Sequence, residues 1–335
     1  MDLMDAFKGV EIFKFQEKFC SEDACKSYLF QEKFRKGFKC PKCNHTHAYQ
    51  GIKPYTMVCK SCRYIESSTS DTLYHRIKFG LVKAFNIQFE ITNTCKGVSV
   101  NHISSKYGIN YKTAHLFMKK VKVAMESSTE YPMMGKVYVD EFVIGGFEKG
   151  AVGRKTDSKK IKVIMAVETT DKGKIKRVYS MKIADYSAHE LRKIFDKHIS
   201  KQADVYTDEW KGYIPLSKEW NITQNKKYKN NSPVNRMIQQ LKSWIRGTHH
   251  SISHYHTETY LNEFSFRINR SLWKDVIFHK SVERMVKKDK KCRLELSKIQ
   301  CRTREQFVEK IRQNILWDVK YEVRYGKVKT LKMVA

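Results

Sequence analysis

The chain has 335 residues, 41% of them hydrophobic, which allows a sizeable core spread over two or three domains and excludes a disordered tail protein. Its 65 Lys and Arg against 35 Asp and Glu leave a formal charge of +30, a field that draws polyanions and makes nucleic acid the expected partner. No segment approaches ~20 continuous apolar residues, and MDLMDAFKGV lacks the basic start and apolar run of a signal peptide, so no membrane is expected and a cytoplasmic protein held on a bacterial nucleoid is.

Residues 1–35, rich in Phe, Lys and Glu, read as an N-terminal segment of one or two amphipathic helices. Residues 36–78 carry Cys40-Pro-Lys-Cys43 and, after fifteen residues, Cys59-Lys-Ser-Cys62, the two-knuckle spacing of a tetrahedral all-thiolate zinc site. Each pair sets two thiolates on one tight turn, and the intervening stretch is long enough for a hairpin that joins the knuckles. A ribbon this small has little core, so metal binding supplies most of its folding energy. A redox dithiol is the other use of such a pair. Cys20, Cys25, Cys95, Cys292 and Cys301 lack knuckle spacing and read as ordinary thiols. Lys39, Lys42, Lys53, Lys60 and Arg63 make the ribbon basic, which suits DNA.

Over 79–131 apolar residues recur at three- and four-residue spacing without proline until Pro132. SVNHISSKYGINYKTAHLFMKKVKVAM has the shape of two helices joined at Gly108, with Ile103 and Tyr107 inward and Asn110 capping a second helix that buries Ala114, Phe117 and Val121. In a helix-turn-helix, Tyr111, Lys112, Thr113 and His115 would start the recognition helix. A plain helical hairpin shows the same pattern.

Near 130–136 the texture changes to alternating strand, and 132–278 reads as a catalytic domain. KVYVDEFVIGG ends in the adjacent acids Asp140 and Glu141; two more β-rich runs follow at 159–170 and 173–183. Ser187 caps an amphipathic helix to 199, and ADVYTDEWKGY is a short strand ending in Asp208 and Glu209. Three hairpin-type strands, a crossover helix and a fourth strand open a ribonuclease H-like mixed α/β sheet. The fold class is therefore multidomain α+β: zinc ribbon and helix-turn-helix, then this sheet. Asp140 and Asp208 on neighbouring strands can bridge hard divalent cations that serve phosphoryl transfer. SPVNRMIQQLKSWIRGT is a helix started by Ser232 and Pro233 and closed by Gly247, with Asn235 and Lys242 two turns apart on one face. An Asn carbonyl can complete a metal shell and a Lys can hold a phosphate, although a polar face with no role has the same pattern. Residues 279–335 read as a basic extension with a terminal β-hairpin.

CPKC with CKSC, VDEFVIGG, YTDEWKGY, VNRMIQQLKSWIRGTHHSIS and YLNEFSFRINR together resemble the DDE-superfamily transposases of the fifteen-ninety-five group of insertion sequences, similar to the ISXO-type domain preceded by its zinc ribbon. The resemblance covers about residues 15–275. It implies a magnesium- or manganese-dependent enzyme that binds an element's terminal inverted repeats, cuts the DNA and transfers strands to a target, acting as a homodimer or higher oligomer on double-stranded DNA. Carried over by motif, Asp140 and Asp208 are the first two catalytic acids, Asn235 the third position and Lys242 the following lysine, a DDNK arrangement. Glu209, Glu258 and Glu263 are the other acids that could stand third. His249, His250, His254 and His256 allow a transition-metal site by residue type; the resemblance places His249 and His250 near the DNA backbone instead. The other reading of the whole chain is a non-enzymatic zinc-ribbon regulator on an inactive scaffold.

Overall fold

A computed structural model of the chain describes residues 11–94, 97–145, 160–225, 232–250, 252–271 and 274–287. The expected terminal hairpin, most of the NKKYKNNS loop, and Cys95, Cys292 and Cys301 lie outside them.

Two short helices open the described chain, α1 (Ile12–Lys18) and α2 (Glu22–Phe34). The Ser21 hydroxyl accepts the Ala24 N–H at the start of α2, and Glu22 and Asp23 complement the helix dipole there. The ribbon follows as three antiparallel strands in sequential order: β1 (Ala48–Gln50), β2 (Thr56–Cys59) and β3 (Ile65–Ser67). Lys33 of α2 reaches across to Glu66 of β3 at 2.6 Å, both nearly buried, and ties helix to ribbon.

The helical run of 79–131 breaks into α3 (Leu81–Asn93), α4 (Val100–Tyr107) and α5 (Tyr111–Ala124). Gly108 closes α4 at φ +60°, a left-handed conformation, and the Asn110 side chain accepts the Lys112 N–H to cap α5. Ile103, Ala114, Phe117 and Val121 are buried as their periodicity requires.

A late helix, α9 (Lys274–Lys287), returns to this region and packs on α2, α3 and α5. Phe278 meets Phe15, Phe19, Phe85 and Phe89 at ring separations of 4.9 to 6.2 Å. The boundary expected at 278/279 therefore falls inside α9, because Val282 and Met285 continue the buried stripe that Phe278 begins.

The remaining elements build one mixed sheet. In chain order they are β4 (Lys136–Ile144), β5 (Ile161–Thr169), β6 (Ile175–Lys182), α6 (Ala188–His198), β7 (Asp204–Thr207), a 3₁₀ helix (Lys211–Lys218), β8 (Asn221–Gln224), α7 (Pro233–His249) and α8 (Thr257–Ile268). The strands lie in the order β6-β5-β4-β7-β8, the first three antiparallel, with β7 parallel to β4 and β8 parallel to β7. On one face Val137, Val139, Ile164 and Ala166 pack against Leu191, Ile194 and Phe195 of α6. On the other, Phe142, Val163 and Met165 meet Met237, Ile238 and Leu241 of α7 and Phe264 of α8. Helices on both faces explain why all nine residues of β5 are buried. The 3₁₀ helix and β8 extend the sheet beyond the four strands that the sequence suggested. Helix α7 also runs through Gly247 and stops at His250, whose φ is +57°; a glycine inside a helix costs only about 1 kcal/mol and need not end it. Among the described residues no helix is long and apolar enough to cross a membrane.

Candidate metal centres

The two cysteine knuckles have the same local build. The N–H of Cys40 donates to the His45 carbonyl and the N–H of Asn44 to the Cys40 carbonyl; Cys59, Tyr64 and Arg63 repeat both bonds. The residue after the second cysteine of each pair, Asn44 or Arg63, sits at φ +60°. Arginine gains nothing from a left-handed backbone, so this strain is held by the turn that presents the sulfurs. All four Sγ atoms lie within 4.8 Å of one another, with Cys40 and Cys62 3.5 Å apart and Cys43 and Cys59 3.6 Å apart. Four thiolates about 2.3 Å from a tetrahedral zinc ion stand roughly 3.8 Å apart, so the set fits a structural zinc. Backbone N–H groups of Cys62 and Ser61 aimed at Cys59 hold its thiol below the usual value, which favours the thiolate a metal needs. Cys20 and Cys25 lie outside the group, and burial raises the Cys25 thiol to about 12.

The second cluster arises from strand register. β4 and β7 pair in parallel with Tyr138 level with Tyr206, so continuing by two residues sets Asp140 level with Asp208, on the same face and one strand apart. The stacked rings of Tyr138 and Tyr206, 5.2 Å apart, floor the pair. Asp208 is 8% exposed, and its Oδ1 accepts the Trp210 N–H at 3.1 Å, an Asx turn that aims the carboxylate as the strand ends. Gln224 of β8 donates to the Asp208 and Trp210 carbonyls and pins that turn to the sheet.

Glu141 joins them. Carboxylate oxygens of Asp140, Glu141 and Asp208 all lie within 4.8 Å of one another. Alternation along β4 turns Glu141 to the α6 face, where the hydroxyl of the fully buried Tyr213 donates to its Oε2 at 2.6 Å. Burial first, then the Glu141, Asp140 and Asp208 charges, push the Tyr213 phenol well above its ordinary value and keep it a donor. Sequence reasoning noted Glu141 beside Asp140 but left it out of the site, since neighbours on a strand point apart; Tyr213, in the same YTDEWKGY stretch as Asp208, was the available signal. Three hard oxygen donors of this kind suit a hard divalent cation.

The other expected residues are placed unevenly. Asn235 is half-buried in the first turn of α7, its N–H bonded to the Ser232 hydroxyl. Lys242, further along that helix, sits 5.4 Å from the Phe142 ring; burial lowers its ammonium, Arg246 adds to this and the Asp140 charge opposes it. Lys242 is thus in electrostatic reach of the acids. Of the alternative acids, Glu258 accepts the Lys182 N–H, Glu263 pairs with Lys122, and Glu209 is exposed; none joins the cluster.

At the start of α5, Tyr111 and Lys112 are exposed and Thr113 half-buried. His115 instead turns inward, 5.4 Å from the His256 ring. His249 is half-buried, with its Nε2 buried and its ring packed on Tyr260 and Trp244, and burial lowers it to about 4. His250 is exposed.

Comparison with known families follows the same division. Residues 132–269, which enclose the mixed sheet with α7 and α8, match the ISXO2-like transposase domain, and residues 20–65, from α2 to β3, match the transposase zinc-ribbon domain. No curated protein matches the chain.

Proposed function

The chain belongs to the IS1595 family of transposases, with a zinc ribbon ahead of its transposase domain, and from that premise we propose that it cuts DNA at an element's inverted repeats and joins the ends to a target. The observation that carries this reading is the level placement of Asp140 and Asp208 on adjacent parallel strands, with Glu141 beside them. The strand order, three antiparallel strands flanked by two parallel ones, supports a ribonuclease H-like assignment for the sheet.

The residues divide the work. Asp140 and Asp208 supply anionic oxygens for divalent cations, and Asn235 is the neutral third donor from α7. Bound magnesium or manganese would activate the attacking oxygen and stabilise the leaving oxygen at phosphorus. Lys242 holds a phosphate of the strand beside Asp140. Burial of Asp208 and of the Tyr213 ring keeps water away and lets these charges act at short range. The ribbon and the α4–α5 pair, read as a helix-turn-helix, bind the duplex, with Tyr111, Lys112 and Thr113 at the base edges and His250 at the backbone. Two ends must meet for joining, so the working form is a dimer or larger on double-stranded DNA, on the nucleoid of a bacterial cytoplasm.

Incubating the purified protein and magnesium or manganese with labelled inverted-repeat DNA and a target plasmid tests this. Joined products are expected. Nicks without joining would mean a nuclease, and binding without either would leave a regulator.

A further inference from the structure

Residues 208–213 do two jobs at the acid cluster. They carry Asp208, whose Oδ1 accepts the Trp210 N–H, and the turn so formed leads into the 3₁₀ helix, where the Tyr213 N–H donates to the Trp210 carbonyl at 3.1 Å. Trp210 anchors the turn, its indole N–H donating to the Tyr186 carbonyl at 2.9 Å. Gly212 lies against that bond: a Cβ there would come within 2.6 Å of the indole nitrogen and 2.9 Å of the Tyr186 carbonyl oxygen. The close approach fixes the path of the chain and so the place to which Tyr213 is delivered. Its hydroxyl, on a fully buried ring, ends 2.6 Å from Glu141 Oε2.

Strand lengths let Glu141 reach the two aspartates. β4 runs on to Ile144, whereas β7 ends at Thr207, and the two pair over 136–138 against 204–206. Beyond that level the strands no longer pair, so a side chain that starts on the α6 face can bend around the edge of β4 toward Asp208. Carboxylate oxygens of all three acids come within 4.8 Å of one another. Oxygens about 2.1 Å from a small octahedral cation stand roughly 3 to 4 Å apart, so small side-chain turns bring all three onto one ion. A carboxylate that accepts one hydrogen bond still has lone pairs for a cation, and a buried donor behind a ligand is the usual way in which outer partners orient it. Affinity for such a cation rises with the number of charged ligands, and Asn235 brings a dipole without a charge.

Resting on the reading of Asp140 and Asp208 as a cation site, we propose that Glu141 supplies the third anionic ligand, with Tyr213 as its positioning residue. The site then holds a divalent cation on three carboxylates before DNA arrives, and the neutral Asn235 adds to a shell whose charge is already complete.

Titrating the full-length zinc-loaded protein with Mn²⁺ in the absence of DNA, followed by the electron spin resonance of the free ion, tests this. The wild type should bind the ion, and Asp140→Ala should weaken binding at least a hundredfold, which checks the underlying reading. Glu141→Gln keeps the shape and the acceptor for Tyr213 but not the charge, and should weaken binding at least tenfold. Tyr213→Phe keeps every charge but releases the orientation; it should weaken binding two- to fivefold, and it carries the test if the Glu141 variant misfolds. Loss in Asp140→Ala with unchanged affinity in Glu141→Gln or, where that variant does not fold, in Tyr213→Phe, overturns the proposal and leaves the aspartate pair standing. No binding by the wild type, or full binding by Asp140→Ala, overturns the aspartate pair as a cation site and the proposal with it.

Discussion

Tyr213 brings its hydroxyl to Glu141 from a position with no solvent around it. Tyr213→Phe deletes a buried donor to a carboxylate, which should cost about 1–3 kcal/mol in urea unfolding. With Glu141 no longer held, strand cleavage should fall as well, and a variant with unchanged stability and activity would contradict this placement. Three histidines give a second expectation. His198, His249 and His256 are each lowered to about 4, first by burial and then by nearby cations. The unfolded chain takes up these protons near the ordinary value of about 6.5, whereas the folded chain refuses them until about 4. Stability is therefore full above about pH 6.5 and declines as pH falls toward 4. Thermal melts followed by tryptophan, all of which lies outside the ribbon, should show the midpoint dropping already between pH 6.5 and 5. A flat midpoint over that window would rule the burial out.

At the scale of elements, the ribbon and the α4–α5 pair depend on different terms. The ribbon's core is Phe38, Cys40 and Cys59 with a few half-buried neighbours, so its order rests on the metal. A strong chelator should release one zinc per chain and erase protection of the β1–β3 amides while the mixed sheet keeps its own; retention of ribbon amides after zinc loss would argue against a structural metal. Gly108 has open space around it, so Gly108→Ala meets no clash and pays only for φ +60°, about 1–2 kcal/mol by denaturant titration. The knuckle spacing, the cap at Asn110 and the alternation of β4 and β6 were all legible in the sequence, because each is set by residues a few positions apart. Two elements were not. β8 has four residues, none fully buried, and so leaves almost no pattern; the end of α7 is fixed by the backbone of His250 rather than by the glycine before it. In the site, Asp140 and Asp208 could be read from strand ends, but the third carboxylate depends on a side chain 72 residues away, Tyr213, and the inward turn of His249 on helix packing.

For the whole molecule, the return of α9 to the N-terminal helices joins parts of the chain that the sequence separates. Phe278, Val282 and Met285 are at most 1% exposed, and Tyr28 bonds His279 at 2.6 Å. Ending the chain at residue 271 should abolish cooperative melting, whereas ending it at 289, where the first compact unit stops, should preserve it. A well-folded 1–271 fragment would contradict this interlocking. Single variants at Asp140 and Asp208 test the role of the acid pair most directly, in a strand-transfer assay with inverted-repeat DNA, a target plasmid and magnesium or manganese. Asp140→Ala and Asp208→Ala should each lose cleavage and joining by at least a thousandfold, with zinc content and duplex binding unchanged. Full strand transfer by both folded variants would show that the chemistry resides elsewhere.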